Sequence, residues 1–130
     1  MANLILTSDG WQNRIRSKLG LDVAYLPDAD IEQPDVISVA EANIIRQITN
    51  YSNLSDPELV YLEAAVVCEC CILLCNSLSA RLPIREQGPH ESHDLDIDWD
   101  KRKGELEVER DYYIGSVVVI PTLYHFRLSR

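Results

Sequence analysis

Apolar residues recur with a helical rhythm over most of the chain. In "SDGWQNRIRSKL", residues 8–19, Trp11, Ile15 and Leu19 stand four apart with polar residues between them. This predicts a short amphipathic helix, capped by Ser8 or Thr7 and stopped by Gly20. The next stretch, "LDVAYLPDADIEQP", holds two prolines and several turn formers, and reads as a connection on the surface. From about 35 to 51, Ile37, Ala40, Ile44, Ile48 and Tyr51 recur every three or four residues while Glu41, Arg46 and Gln47 fall elsewhere, the pattern of a second helix. Ser55 and Glu58 then have capping-box spacing, and Pro57 sits where its missing N–H is harmless. They open a third helix predicted to run over 56–82.

That helix is about 40 Å long at 1.5 Å per residue, and its middle, 64–75, carries only Glu69 as a charge. A helix apolar nearly all round has to be covered on most sides. It is therefore the central element, covered by its own bundle or by a neighbouring subunit.

After Pro83 the pattern changes. "PIREQGPHESHDLDIDWD" is polar and turn-rich, then alternates Asp94, Asp96, Asp98 and Asp100 with Leu95, Ile97 and Trp99. The alternation suits an extended arm or edge strand, and Asp98 equally suits the cap of a following helix. A last helix over roughly 99–113 would set Trp99, Leu106, Arg110 and Tyr113 on one side, against the resistance of Gly104 and the alternating "ELEVE". The β-branched and aromatic end, "GSVVVIPTLYHFRLSR", reads as an extended tail that packs on another chain or adds a strand to one. The fold expected is mainly α: a small bundle of three to four helices around a long central one, with a helical domain over 1–116, an arm at about 83–98, and an extended docking tail over 117–130.

At 130 residues and 46% hydrophobic, the chain suffices for one modest core. Its longest apolar run after the start, "CCILLC", is far short of the roughly 20 residues of a membrane span. With no signal-like segment in "MANLILTSDG", a soluble protein made in a cytoplasm is expected. The net charge of −9 opposes nucleic acid at long range and argues against a groove-reading DNA binder. Two short basic groups, Arg14, Arg16, Lys18 and Lys101, Arg102, Lys103, read as solvated helix faces.

All four cysteines, Cys68, Cys70, Cys71 and Cys75, lie within ten residues. One straight helix can aim only two of them at a single ion, and the spacing of His90 and His93 is not that of a zinc finger. Mid-helix surroundings of Val, Ile and Leu raise a thiol pKa instead of activating it. The cluster reads as core: Cys68, Cys71 and Cys75 continue a stripe with Leu78 and Leu82, and Cys70 faces a helix or subunit on the other side. The aspartates at 94–100 match a calcium loop poorly, because Trp99 stands where the turn glycine belongs. No phosphate loop, Gly-x-Ser-x-Gly or His-Glu-x-x-His occurs, so no catalysis and no cofactor are expected.

The order of features resembles the head-tail connector, or adaptor, proteins of long-tailed bacteriophages. The resemblance lies in a first helix ending "KLGL", the "YLPDADI" connection, the "AEANIIRQITNY" helix, the long "DPELVYLEAAVVCECCILLCNSLSARLP" helix, a variable arm, and a last "W" then "L" segment leading to an apolar tail. It implies a structural protein of the virion neck, assembled in the host cytoplasm. Neighbouring copies would form a ring, typically of about twelve. That ring would join the portal ring to a downstream neck (stopper) or tail protein and leave a channel through which genomic DNA passes without sequence-specific binding.

On that reading Val118, Ile120, Leu123, Tyr124, Phe126 and Leu128 bind the portal, and Arg85, Glu86, His90, Asp94, Asp96 and Asp98 belong to an arm that reaches the next subunit or lines the channel. The alternative from another class is a small cytoplasmic regulatory module, antitoxin-like, whose tail folds onto one protein partner.

Overall fold

The computed structural model describes residues 3–81 and 98–128, with side chains described for 3–79 and 98–117. Within them every regular element is helical. In chain order these are α1 (Trp11–Leu19), α2 (Asp28–Ile31), α3 (Val39–Gln47), α4 (Asp56–Arg81) and α5 (Trp99–Leu128). A π-helical turn, Pro34–Ser38, leads directly into α3, and a 3-10 turn, Tyr51–Asn53, precedes α4.

The helix signals act largely as the sequence predicts. α1 ends at Gly20, whose φ of 73° is left-handed and lets its N–H reach back to Ser17 while Leu21 bonds Arg16. Its start differs: Gly10, also left-handed at φ 85°, stands at the cap position, and neither Ser8 nor Thr7 caps the helix. At α4, Glu58 accepts from both the N–H and the hydroxyl of Ser55, at 3.0 Å each, which is half of a capping box. At α5, Asp98 takes the cap, accepting from the N–H of Lys101 at 3.2 Å.

α4 is the centre, and α5 runs antiparallel along it, since Lys103 bonds Asn76 while Arg110, further on, bonds Glu69, earlier on α4. α1 covers a second side, where the Cys71 thiol donates to the Ile15 carbonyl. α3 covers a third through Ala40 and Ile44, with Asn43 bonded to Glu69. Ala65, Val66, Val67, Cys68, Cys70, Cys71, Ile72, Leu74, Cys75 and Leu78 are all buried. The middle of α4 is thus shielded by its own chain, so of the two covers expected, its own bundle and a neighbouring subunit, the first is the one found.

Two features supply the extra cover. The connection between α1 and α3 lies partly in the core, with Leu26 and Ile31 completely buried and Leu21 nearly so. Prolines and aspartates bend its backbone but leave its Leu and Ile free to turn inward. α5 is also twice the expected length, at 30 residues. Its core face carries Trp99, Leu106, Ile114 and Val117. Gly104 points into open space, so it costs only helix propensity, about 1 kcal/mol. "ELEVE" is no strand: Leu106 is buried and Val108 lies on the solvent side.

The helix also continues where an extended tail was expected, through 117–128. A β-branched run lowers helix propensity by only a few tenths of a kcal/mol per residue, and a helix already formed pays no second nucleation. Pro121 removes one backbone donor and crowds the carbonyl four residues before it, at about 3 kcal/mol, the largest local cost in this stretch. No helix among the described residues is long and apolar enough to cross a membrane.

Candidate functional site

Four charged side chains read as outward-facing, or as a lone charge in an apolar helix, are fixed by partners within the chain, Arg16 and Glu69 buried and Lys18 and Arg102 partly so. Arg16, nearly buried, donates to the Leu26 carbonyl at 2.9 Å, to Asn13 and to Asp28, and so pins the connection to α1. Lys18 bonds Glu109, which also accepts from the Tyr113 hydroxyl at 3.0 Å. Burial alone would raise the Glu109 pKa, but the bonds from Lys18 and Tyr113 outweigh it and hold the carboxyl below its usual range. A carboxylate lowered in this way adds stability above its unfolded pKa, which is lost as pH falls through the lowered value. Arg102 donates to the Lys18 carbonyl at 2.7 Å, closing the end of α1 onto α5. Glu69, buried on α4, receives Arg110 from α5 and Asn43 from α3, at 2.9 Å each.

Glu41 of α3 is also buried. One of its oxygens accepts from three successive backbone N–H groups, Leu4 at 3.1 Å, Ile5 at 2.7 Å and Leu6 at 3.0 Å, and the other accepts again from Leu4. Residues 3–7 form a hook beneath it, closed on itself by Asn3 bonding the Leu6 carbonyl and by Thr7 N–H bonding Ile5. Ile5 and Leu6 are its two buried apolar pegs.

Beside the hook lies an open cleft of about 300 Å³ lined by Leu4, Ile5, Tyr51, Leu59, Leu62 and Glu63, among others. Glu63 at its rim is paired with Arg14 at 2.9 Å. The same end of the molecule holds an aromatic group, Tyr61 and Tyr113 with ring centres 6.1 Å apart and Tyr113 and Tyr112 at 5.6 Å. Exposed apolar side chains occur on these elements too: Leu4, Val60, Val108 and Tyr112 are each at least 60% exposed. Such a surface offers contact area and hydroxyl donors.

The cysteines are free and fully buried. Cys71 faces α1; Cys68 lies near Glu109, Arg102 and Arg110 of α5, and Cys75 near Arg102 and Lys103. Cys70 points elsewhere, with Glu41 and Glu69 as the charges near it, so the element opposite it belongs to the same chain. Burial pushes the Cys68 and Cys75 thiols up to about 11, and those of Cys70 and Cys71 up as well. At pH 8 roughly one in 1,000 of the Cys68 thiols is ionised. Iodoacetamide at pH 8 is expected to leave the native protein unlabelled over hours and to modify all four thiols within minutes in denaturant, read by mass spectrometry. Rapid native labelling of Cys68 would show that it is not core.

Among the described residues no group of three or more His, Cys, Asp or Glu side chains is placed to hold a metal ion. Of the residues expected to act in the arm, Asp98 is exposed and caps α5, while Arg85, Glu86, His90, Asp94 and Asp96 lie outside the described residues. Val118, Ile120, Leu123, Tyr124, Phe126 and Leu128 belong to the backbone of α5, and their side chains lie outside the described set. The sequence reading missed the hook and its carboxylate; the only signal was the apolar "LILT" ahead of the polar start of α1. No family model, curated protein or solved structure matches this chain.

Proposed function

We propose that the chain is a non-catalytic structural subunit of a virion neck. Copies of it would form a ring, of about twelve, on the portal, above a downstream neck or tail protein and around a channel for DNA. The resemblance in the order of its segments motivates this reading, and one structural observation carries it: α5 continues as helix into the apolar sequence 117–128. The antiparallel register that sets Arg110 against Glu69 brings about residue 123 level with Asp56, so the last turn of α5 reaches beyond the start of α4. A projecting apolar helix end is a ready anchor for a groove on a larger ring. The net charge of −9 suits a channel past which DNA slides without sticking.

The experiment mixes the purified chain with the portal ring from the same genome and weighs the products by mass photometry. The full chain is expected to give a portal carrying a ring of copies. A chain ending at residue 117 is expected to keep its helical circular dichroism and dock about 1,000-fold more weakly, the effect of losing two anchors at about 2 kcal/mol each. Unchanged docking would overturn the role given to α5. Because α4 is covered within one chain, a solitary protein-binding module of the antitoxin-like kind is the second reading. Monomers or dimers alone, both with and without the portal, would favour it.

A further inference from the structure

The hook at residues 3–7 is a self-contained piece of structure. Its internal bonds, Asn3 to the Leu6 carbonyl and Thr7 to Ile5, travel with it. Among the described residues its hydrogen bonds to the rest of the molecule all go to the Glu41 carboxylate, and its buried apolar contribution is Ile5 and Leu6. Behind it Ser8, Asp9 and Gly10 are all exposed, and Gly10 has open space around it and a left-handed φ. The cradle on the body is therefore a binding site for a short extended segment, recognised through three consecutive main-chain N–H groups and two apolar side chains.

We propose that the cradle at Glu41 takes the hook of a second copy of this chain, and that exchange of hooks joins neighbouring copies. A second copy is the occupant that reproduces every contact, because it brings the same three N–H groups, the same pegs and the same internal closure. Exchange between identical elements then changes only the path of the link, the condition under which swapping costs little. The three-residue link, 8–10, spans at most about 11 Å, so hooks pass only between copies already in contact. Passing each hook to the next copy in one direction closes a ring, while a reciprocal exchange gives a dimer. The intermediate with an empty cradle leaves a buried carboxylate without its donors, so exchange is slow and follows partial unfolding. This inference stands apart from portal docking and needs no virion partner.

The test uses the full chain with p-benzoylphenylalanine in place of Leu4, an exposed position on the hook. Labelled (¹⁵N) and unlabelled chains are unfolded together, refolded at high concentration, separated by size and irradiated; mass spectrometry then reads the cross-linked peptide pairs. In the assembled fraction about half of the pairs are expected to join one labelled and one unlabelled chain, the random share when every hook is exchanged. Pairs in the monomer fraction should all be of one label. Glu41→Gln, checked for native circular dichroism, is expected to reduce the mixed pairs at least threefold. Same-label pairs alone in every fraction, mixed pairs that Glu41→Gln leaves undiminished, or a protein that stays monomeric throughout would each overturn the proposal. A failure to dock on the portal would leave it standing.

Discussion

Replacing Glu41 by alanine should cost about 3–5 kcal/mol and lower the melting temperature by roughly 10–15 °C, because a single carboxylate satisfies three backbone donors. The N–H groups of Ile5 and Leu6 are buried at that contact, and each buried donor left without an acceptor loses about 1–3 kcal/mol. Their bonds are charge-assisted, which places them at the strong end of the range. The protein has one escape, which is to release the hook to water. That escape exposes Ile5 and Leu6, at about 1.5–3 kcal/mol each, and so caps the loss near the upper figure. Glu41→Gln keeps one acceptor oxygen but aims an amide donor at the same N–H groups, and should fall between the wild type and alanine. Urea unfolding of the three proteins measures the series. A loss below about 1 kcal/mol for Glu41→Ala would mean that the hook contributes little to the native state.

The hook also marks where reading the sequence stops working. Glu41 stands on α3 between Ala40 and Ile44, both buried, and periodicity alone sends a carboxylate outward. Its partners are 35 to 37 residues away, and no local pattern reports them. Lys18 is the same case, paired with Glu109 across 91 residues. Arg16 read as part of a solvated face and is buried instead, because its acceptors include a backbone carbonyl and an aspartate in a segment that read as surface.

By contrast, the long central helix, the stop at Gly20 and the burial of the cysteines depend on local chemistry, and these were legible. The thiols are inert for the reason that the sequence suggests: burial in the core outweighs the charges near them, and no helix amino terminus is close. The last helix was legible over 99–113, where spacing sets Trp99, Leu106, Arg110 and Tyr113 on one side. Beyond that, strand propensity and a proline pointed to an extended tail, whereas a helix already formed extends without a second nucleation. The candidate contact surface was legible only in composition. Tyr61, Tyr112 and Tyr113 meet because α4 and α5 are antiparallel, a property of the tertiary fold.

The ion pair between Glu69 and Arg110 should show a marked asymmetry between its two partners. Glu69 has a side chain only 7% exposed and depends on Arg110 and Asn43, at 2.9 Å each. Arg110→Ala therefore strands a carboxylate that water hardly reaches and leaves it one neutral donor, a loss of about 3–5 kcal/mol. The reverse change is milder. Without Glu69, Arg110 keeps Asp111 at 3.0 Å and is 22% exposed, enough for its head to turn toward water, so Glu69→Leu should cost no more than about 1–2 kcal/mol. Replacing both by apolar residues, Glu69→Leu with Arg110→Ala, removes the desolvated charges together and should lie within about 1 kcal/mol of the wild type. The double-mutant cycle then gives a coupling of about 3 kcal/mol or more, far above the 0–1 kcal/mol of an exposed pair such as Arg14 and Glu63. Denaturant unfolding of the four proteins decides it. Equal costs for the two single changes, or a double change worse than Arg110→Ala, would mean that the pair behaves as surface charges and that α5 is held to α4 by its apolar face alone.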